Sequence, residues 1–334
     1  MQKTNQAVDF VKLFFAYCIV GIHTVILQDV NYDCWYYIQH MIFRIAVPFF
    51  FMCSGYFYKP QKDDSLLPKQ VQRLIIPYFA WSIAFTIVTR DFDLKEILKG
   101  YLIASPGASM WFVAALMISM VILKLIKNKK ALSIAICISM IFYFVGLFLD
   151  SYSEITRGTI FEPYALKYIE LFGSTRNFVF IGFPMTSIGY YIGQYGIPKL
   201  LKNKINCVVT FIVAWIVLFF EVNFVKNMSN TFSEGWSYFF LLPLVVLSLL
   251  CFLLQLNINL NVNTFLLRKI STGIYFSHLV ILVCVNTLGG ILCKFNIIEQ
   301  NFNTVLIFLL VSVIATIFSI VVIKLNNKLL NKLF

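Results

Sequence analysis

The sequence predicts an all-α fold: a polytopic transmembrane helix bundle of about ten spans with both termini cytoplasmic. Three observations predict it. The 334 residues are 60% hydrophobic and 13% charged, where a soluble domain is nearer 45–50% apolar and about 25% charged. Apolar stretches long enough for a helix to cross a hydrocarbon core about 30 Å thick recur along the whole chain. Lysine and arginine are concentrated in alternate connections, as the positive-inside rule requires. Together these exclude a soluble enzyme, a disordered chain and a disulfide-rich secreted module. The net charge of +12 follows membrane topology, so it does not indicate nucleic acid.

The spans are expected at about 8–28, 40–58, 74–90, 110–126, 131–149, 176–196, 204–222, 236–256, 271–293 and 303–325. The connections are short; the longest, near 91–109 and 150–175, are too small for a soluble domain. With a cytoplasmic N-terminus, the inner connections hold Lys3, Lys59, Lys62, Lys69, Arg73, Lys124, Lys127, Lys129, Lys130, Lys199, Lys202, Lys204, Arg268, Lys269, Lys324, Lys328 and Lys332. The outer ones hold only Arg90, Lys95, Lys99, Arg157, Lys167, Lys226 and Lys294. Of the acids, only Asp9, Asp63 and Asp64 fall inside. The first span is not a signal peptide, because Asp9 and Lys12 interrupt it and no small-residue cleavage pattern follows. Gly189 and Gly193 form a GxxxG, read as close helix packing. Cys18, Cys53, Cys137, Cys207, Cys251, Cys284 and Cys293 lie in or beside apolar segments, with Cys34 in a loop. No CxxC and no Cys/His metal spacing occurs, so no metal is expected.

Charged and titratable residues inside spans are costly and mark candidate sites. His23 lies deep in the first span, too far in for imidazole to reach the surface. Lys12 is eleven residues earlier, which is three turns plus about 20°, so both side chains share one helix face about 16.5 Å apart. Lysine snorkelling is the plain alternative for Lys12. Arg44 precedes Pro48, which removes the helix partner of the Arg44 carbonyl. Such a break is tolerated where protein or water re-satisfies it, which suits a polar cavity or an interfacial anchor. Lys69 and Arg73 lie one turn apart at the inner end of the third span, fit either for phosphate or for the ordinary cation rule. Trp111 opens the fourth span as an aromatic-belt residue. Arg176 opens the sixth, where Pro184 frees the carbonyl of Phe180. His278, near Tyr275 in the ninth span, reads first as a satisfied structural histidine. P-loop, GxSxG, HExxH and GxGxxG signatures are absent.

The pattern resembles the integral membrane acyltransferase family 3, whose members include bacterial O-acetyltransferases of capsule and other exported glycans. The resemblance covers essentially the whole chain, as one domain over 1–334. Lys12-x10-His23 is similar to the first-span hallmark, with lysine where arginine is frequent; lysine lacks the planar fork for bidentate contact. Arg44, Pro48 and Ser54-Gly55-Tyr56 resemble the second-span motif, and Lys69, Arg73 and Pro77 the third. Trp111-Phe112, Arg176-Asn177-Phe178 and Ser271-x3-Tyr275-x2-His278 resemble later ones.

The resemblance implies a membrane O-acyltransferase that moves an acyl group, most often acetyl, from acetyl-CoA to a hydroxyl of a cell-surface or capsular polysaccharide or its lipid-linked precursor. It implies a multi-pass protein of the cytoplasmic membrane and is compatible with a homo-oligomer. His23 would then be general base or transient acyl carrier. Lys12, Lys69 and Arg73 would receive the donor phosphates. Arg44, Trp111 and Arg176 would line an acceptor or oxyanion cavity. The same buried cations and broken spans also suit a transporter or exporter of a polar solute or glycan, and some relatives are membrane modules fused to amino-acid racemases.

Overall fold

The computed structural model describes residues 5–60, 67–90, 92, 110–228, 237–258, 262–297, 302–325 and 333. Lys3, Lys62, Asp63, Asp64, Lys95, Lys99, Lys328 and Lys332, used above for orientation, lie outside them. The described residues form helices: α1 (Gln6–Thr24), α2 (Tyr32–Met41), α3 (Ala46–Phe57), α4 (Lys69–Thr89), α5 (Trp111–Leu125), α6 (Lys129–Phe148), α7 (Ser153–Thr156), α8 (Glu162–Phe172), α9 (Phe183–Tyr195), α10 (Lys204–Met228), α11 (Leu242–Leu254), α12 (Thr264–Lys294) and α13 (Thr304–Leu325).

Seven helical stretches among the described residues are long and apolar enough to cross a membrane, including the continuous Tyr32–Phe57. Trp111–Leu125 and Leu242–Leu254 are shorter apolar helices. The protein is a multi-pass membrane protein. On α10, Val209, Val213, Ile216 and Phe220 are exposed, as a lipid-facing surface requires.

Asparagine starts many of the helices. The side chains of Asn5, Asn31, Asn128, Asn263 and Asn303 each accept a backbone N–H three residues on, between 2.8 and 3.2 Å. Each satisfies a donor that the first helical turn leaves open. Asn31 is informative, because it begins α2 inside a stretch whose hydropathy predicts a loop. The expected span at 40–58 thus starts earlier, at Tyr32, and Cys34 is helical.

The prolines act where expected, in different ways. Before Pro48 the chain passes through a 3₁₀ turn at Phe43–Ile45 that contains Arg44. Before Pro184 it makes a π turn at Phe178–Gly182, capped by Asn177. The Gly182 N–H reaches back five residues to the Asn177 carbonyl at 3.1 Å. Such turns re-satisfy a ladder that proline interrupts.

The chain divides into two compact units. One comprises residues 1–46, 75–92 and 256–334; the other comprises 47–74 and 93–255. In the first, α12 packs against α1 and α13. In the second, α3 and α9 meet backbone to backbone. A Cβ on Gly189 would stand 1.9 Å from the Met52 carbonyl oxygen, and one on Gly193 2.4 Å from that of Tyr56. Gly55 meets the Thr186 oxygen in the same way. The GxxxG therefore packs helices closely, with a third glycine on the facing helix.

Candidate active site

The first unit holds the two helices that carry the histidines. Near their N-terminal ends, Asp9 Oδ2 of α1 lies 3.5 Å from Arg268 Nε of α12. Toward the other end, the His23 and His278 rings stand 5.2 Å apart between centroids. Contact at both ends requires the two helices to run parallel, the orientation expected for the first and ninth spans of an alternating bundle. Each helix thus carries a cation toward one end and a histidine ten or eleven residues farther along, about 15–16.5 Å.

Lys12 is half-buried, and its charge, like that of Arg268, acts on Asp9. Asp9 itself is 2% exposed. Burying a carboxylate is costly unless cations answer it. One role of Lys12 and Arg268 is therefore to hold Asp9 in place.

His23 is not deep within a helix, as hydropathy suggests. It occupies the last turn of α1, which stops at Thr24, and its side chain is exposed. The helix ends on Val25 in the left-handed region (φ 46°, ψ 43°), a conformation costly for a β-branched residue. Leu27 follows at φ 75°. Backbone strain of this kind gathers at functional sites.

His278 is the opposite case, 2% exposed. Its Nδ1 is 2.6 Å from the Tyr275 carbonyl oxygen and 3.2 Å from that of Ile274. Carbonyls only accept, so Nδ1 carries the proton and Nε2 presents a lone pair. Nε2 is buried without a hydrogen-bond partner among the described residues. Tyr275 is half-buried and its ring lies 6.0 Å from the His278 ring.

Further buried polar groups of this unit gather on α1, α2 and the 3₁₀ turn. Arg44 is 7% exposed and His40 fully buried; the Arg44 charge acts on His40, whose ring lies 4.5 Å from Tyr36. Arg44 is therefore no headgroup anchor. Thr24 Oγ1, Trp35 Nε1 and Gln39 Oε1 are buried and have no hydrogen-bond partner among the described residues. Buried polar atoms in this state ordinarily await water or ligand. The turn bearing Arg44 packs against both α1 and α2, and the Phe43 ring sits where a Cβ on Gly21 would be, at 2.6 Å.

The remaining sequence candidates belong to the second unit. Lys69 and Arg73 are exposed, one turn apart at the start of α4. Trp111 is the first residue of α5, half-buried, its ring 6.0 Å from Phe51. Arg176 is half-buried just before the π turn. Its Nε is buried without a hydrogen-bond partner among the described residues, and its charge acts on Tyr238. The structure thus groups Lys12, His23, Arg44, Tyr275 and His278 in one unit, and Lys69, Arg73, Trp111 and Arg176 in the other.

Sequence reading passed over Asp9 as a partner, Arg268, Thr24, Trp35, Gln39 and His40. For α2 a signal was present: Asn31 as cap, then Tyr32, Trp35, Tyr36 and Gln39 at helical spacing. For the Asp9–Arg268 pair there was none, because 259 positions separate them.

A helical membrane protein with paired histidines at the end of a parallel helix pair, and cations toward the other end, belongs to the class of polytopic membrane proteins with a polar site built between helices. Its family is the acyltransferase 3 family: the family's acyltransferase domain matches residues 5–324, and the chain belongs to it.

Among curated proteins, the chain is 25% identical to an amino-acid racemase of Enterococcus faecalis over 98% of its own length and 47% of the relative's. It is 22% identical to a serine/alanine racemase of Enterococcus gallinarum over 72% of its own length and 37% of the relative's. The chain thus spans about half or less of the length of these relatives. No solved structure matches it.

Proposed function

We propose that the protein is an O-acyltransferase of the cytoplasmic membrane that moves an acetyl group from acetyl-CoA to a hydroxyl of a cell-surface polysaccharide or its lipid-linked precursor. The observation that carries this reading is the exposed His23 at the open end of α1, set against buried His278, in a chain of the acyltransferase 3 family.

The chemistry assigned to it is direct transfer. The acceptor hydroxyl oxygen attacks the thioester carbon while His23 takes the hydroxyl proton. The C–O bond forms, the C–S bond breaks, and the imidazolium returns the proton to the departing CoA thiolate. Imidazole can take and return a proton near neutral pH, which suits both steps. CoA carries phosphates, for which Lys12 is the assigned cation of the first unit and Lys69 and Arg73 are separate candidates in the second. Arg44 is assigned to the acceptor or the oxyanion. Arg176, with its open Nε, and Trp111 are separate candidates for the acceptor.

The test is transfer of label from acetyl-CoA to a crude envelope glycan fraction by the purified protein in lipid, beside His23→Ala. General bases contribute about 10²- to 10⁴-fold, and a loss of that size is expected in a variant that still inserts. Transfer by His23→Ala at the wild-type rate overturns the mechanism.

The racemase-named relatives favour one second reading, passage of an amino acid through the same polar unit. Vesicles that accumulate serine or alanine without any acyl product would establish it.

A further inference from the structure

A histidine that acts as base needs its tautomer fixed, because only the nitrogen without a proton can take one. His23 sits at an exposed helix end beside a left-handed residue, so a neighbour must orient it. His278 has the complementary chemistry. Its Nδ1–H is committed to the carbonyls of Ile274 and Tyr275, which leaves Nε2 able only to accept. That lone pair is buried without a partner among the described residues, in a ring 5.2 Å from the His23 ring. An imidazole N–H is a donor of the right size to reach it after a small rotation of His23. Contacts of this kind are often long before substrate binds and close in the reactive complex.

We propose that His278 is a positioning residue: its Nε2 accepts the N–H of His23, in a bond that substrate tightens, holding the other nitrogen of His23 toward the acceptor hydroxyl. The inference rests on the acyl-transfer reading above. No proton is transferred to His278. The hydroxyl proton goes to His23 and from there to the CoA thiolate, while the His23 N–H···Nε2 bond shortens as positive charge develops on His23. This is the base-and-orienter arrangement, with a tautomer-locked histidine in place of a carboxylate. Arg44 stands on the 3₁₀ turn packed against α1, and Asp9, Lys12 and Arg268 lie toward the far end of the helix pair; the other titratable neighbours are few. On α12 they are Tyr275 and Cys284, and on α1 Tyr17, which bonds Thr316, and buried Cys18. On α13 no titratable side chain precedes Lys324.

Three variants separate lone pair from shape. His278→Gln places an amide oxygen near the former Nε2 position and can accept. His278→Phe keeps the ring volume and cannot. His278→Ala does neither. The expected result is a kcat loss of about 10- to 100-fold for Phe and Ala, the range usual for a residue that orients a reactive group. The KM for acetyl-CoA stays within twofold, the acid limb of kcat moves to lower pH, and Gln recovers most of the rate. Phe performing as well as Gln, or Ala at wild-type kcat, overturns the proposal.

A second readout does not depend on activity. Among the three histidines, His40 and His278 are buried and His23 is exposed, so diethyl pyrocarbonate should modify His23 first. Its modification rate against pH gives the His23 titration directly. The midpoint should fall in His278→Phe and stay in His278→Gln; an unchanged midpoint in both overturns the proposal, even if the chain proves to transport rather than acylate. If instead only the acetyl-transfer assay fails while this shift is seen, the enzymatic reading falls and the histidine coupling stands.

Discussion

In the second unit, buried polar groups are mostly answered by the protein itself. Asp150 accepts from the Thr175 hydroxyl at 3.1 Å and the Ser237 N–H at 2.6 Å. The Tyr238 hydroxyl donates to the Thr175 carbonyl, and the Tyr143 hydroxyl to that of Phe239 at 2.8 Å. Glu221 accepts from Tyr152 at 2.8 Å and from the N–H groups of Phe240 and Leu241. In the first unit, Thr24, Trp35, Gln39 and His278 each bury a polar atom with no such answer. Leaving a buried polar atom unsatisfied costs about 1–3 kcal/mol. A protein that accepts that cost more often in one region than in the other is using the two regions differently: one set of hydrogen bonds specifies the fold, and the other is kept open for what binds. In the second unit Gln70 Oε1, Ser151 Oγ and Arg176 Nε are buried without a hydrogen-bond partner among the described residues, and Arg176 is the charged one of the three.

The comparison can be broken first at Asp150. Asp150→Ala strands the Ser237 N–H and the Thr175 hydroxyl, both on buried residues. A stability loss of about 2–3 kcal/mol is expected, read as a fall in the detergent-solubilised melting midpoint. Transfer per folded molecule should change little. A kcat collapse with unchanged stability would mean that the Asp150 hydrogen bonds serve the reaction rather than the fold.

Thr24→Val asks the converse question in the first unit. The swap is nearly isosteric and removes a hydroxyl that already lacks a partner, so stability should hold or rise by about 1 kcal/mol. Transfer should fall by about tenfold, the worth of one hydrogen bond to substrate or to an ordered water. If stability falls instead and activity holds, the hydroxyl is structural and the open-valence argument fails at that position.

Much of this architecture was legible from composition and spacing, because bilayer thickness and proline chemistry act locally. The helices, the prolines' effects and the GxxxG all follow from a few neighbouring residues. The Lys12–His23 face was legible for the same reason. The end of α1 was not. The run Thr24-Val25-Ile26-Leu27 has no glycine, asparagine or proline to stop a helix, and apolar character continues through it. The Val25 and Ile26 N–H groups close the helix end on the Gly21 carbonyl without any of the residues that usually mark such an end, so His23 looked central when it is terminal. His40 was missed because it fell at a hydropathy boundary, where length arguments are weakest. Arg268 and Asp9 were missed because a pairing between distant helices leaves no trace in either segment alone.

The tie that helps hold the end of α1 near α13 gives the smallest effect. Asp29 accepts from the Thr304 N–H at 2.9 Å and from the Thr304 hydroxyl, and the Thr304 hydroxyl also accepts the Leu27 N–H at 3.0 Å. The carboxylate thereby supplies the first turn of α13 with an acceptor from another segment, at the end where the helix dipole favours negative charge. These bonds hold the Asp29 carboxyl below its usual value of 3.8. A depressed carboxylate contributes stability that is present above its unfolded pKa and is lost as pH falls through the folded one. Asp29→Asn should therefore melt slightly below the wild type at pH 7, with the gap closing as pH falls below the ordinary carboxylate value of 3.8. The group is nearly fully exposed, so screening keeps the gap small and salt should narrow it. The informative quantity is the His23 modification rate in the same variant. If Asp29 also sets the loop that follows His23, that rate rises at pH 7 and converges with the wild type in acid. A melting difference with no change at His23 would confine Asp29 to capping α13 and leave the position of His23 to Val25 and the Phe43–Gly21 contact.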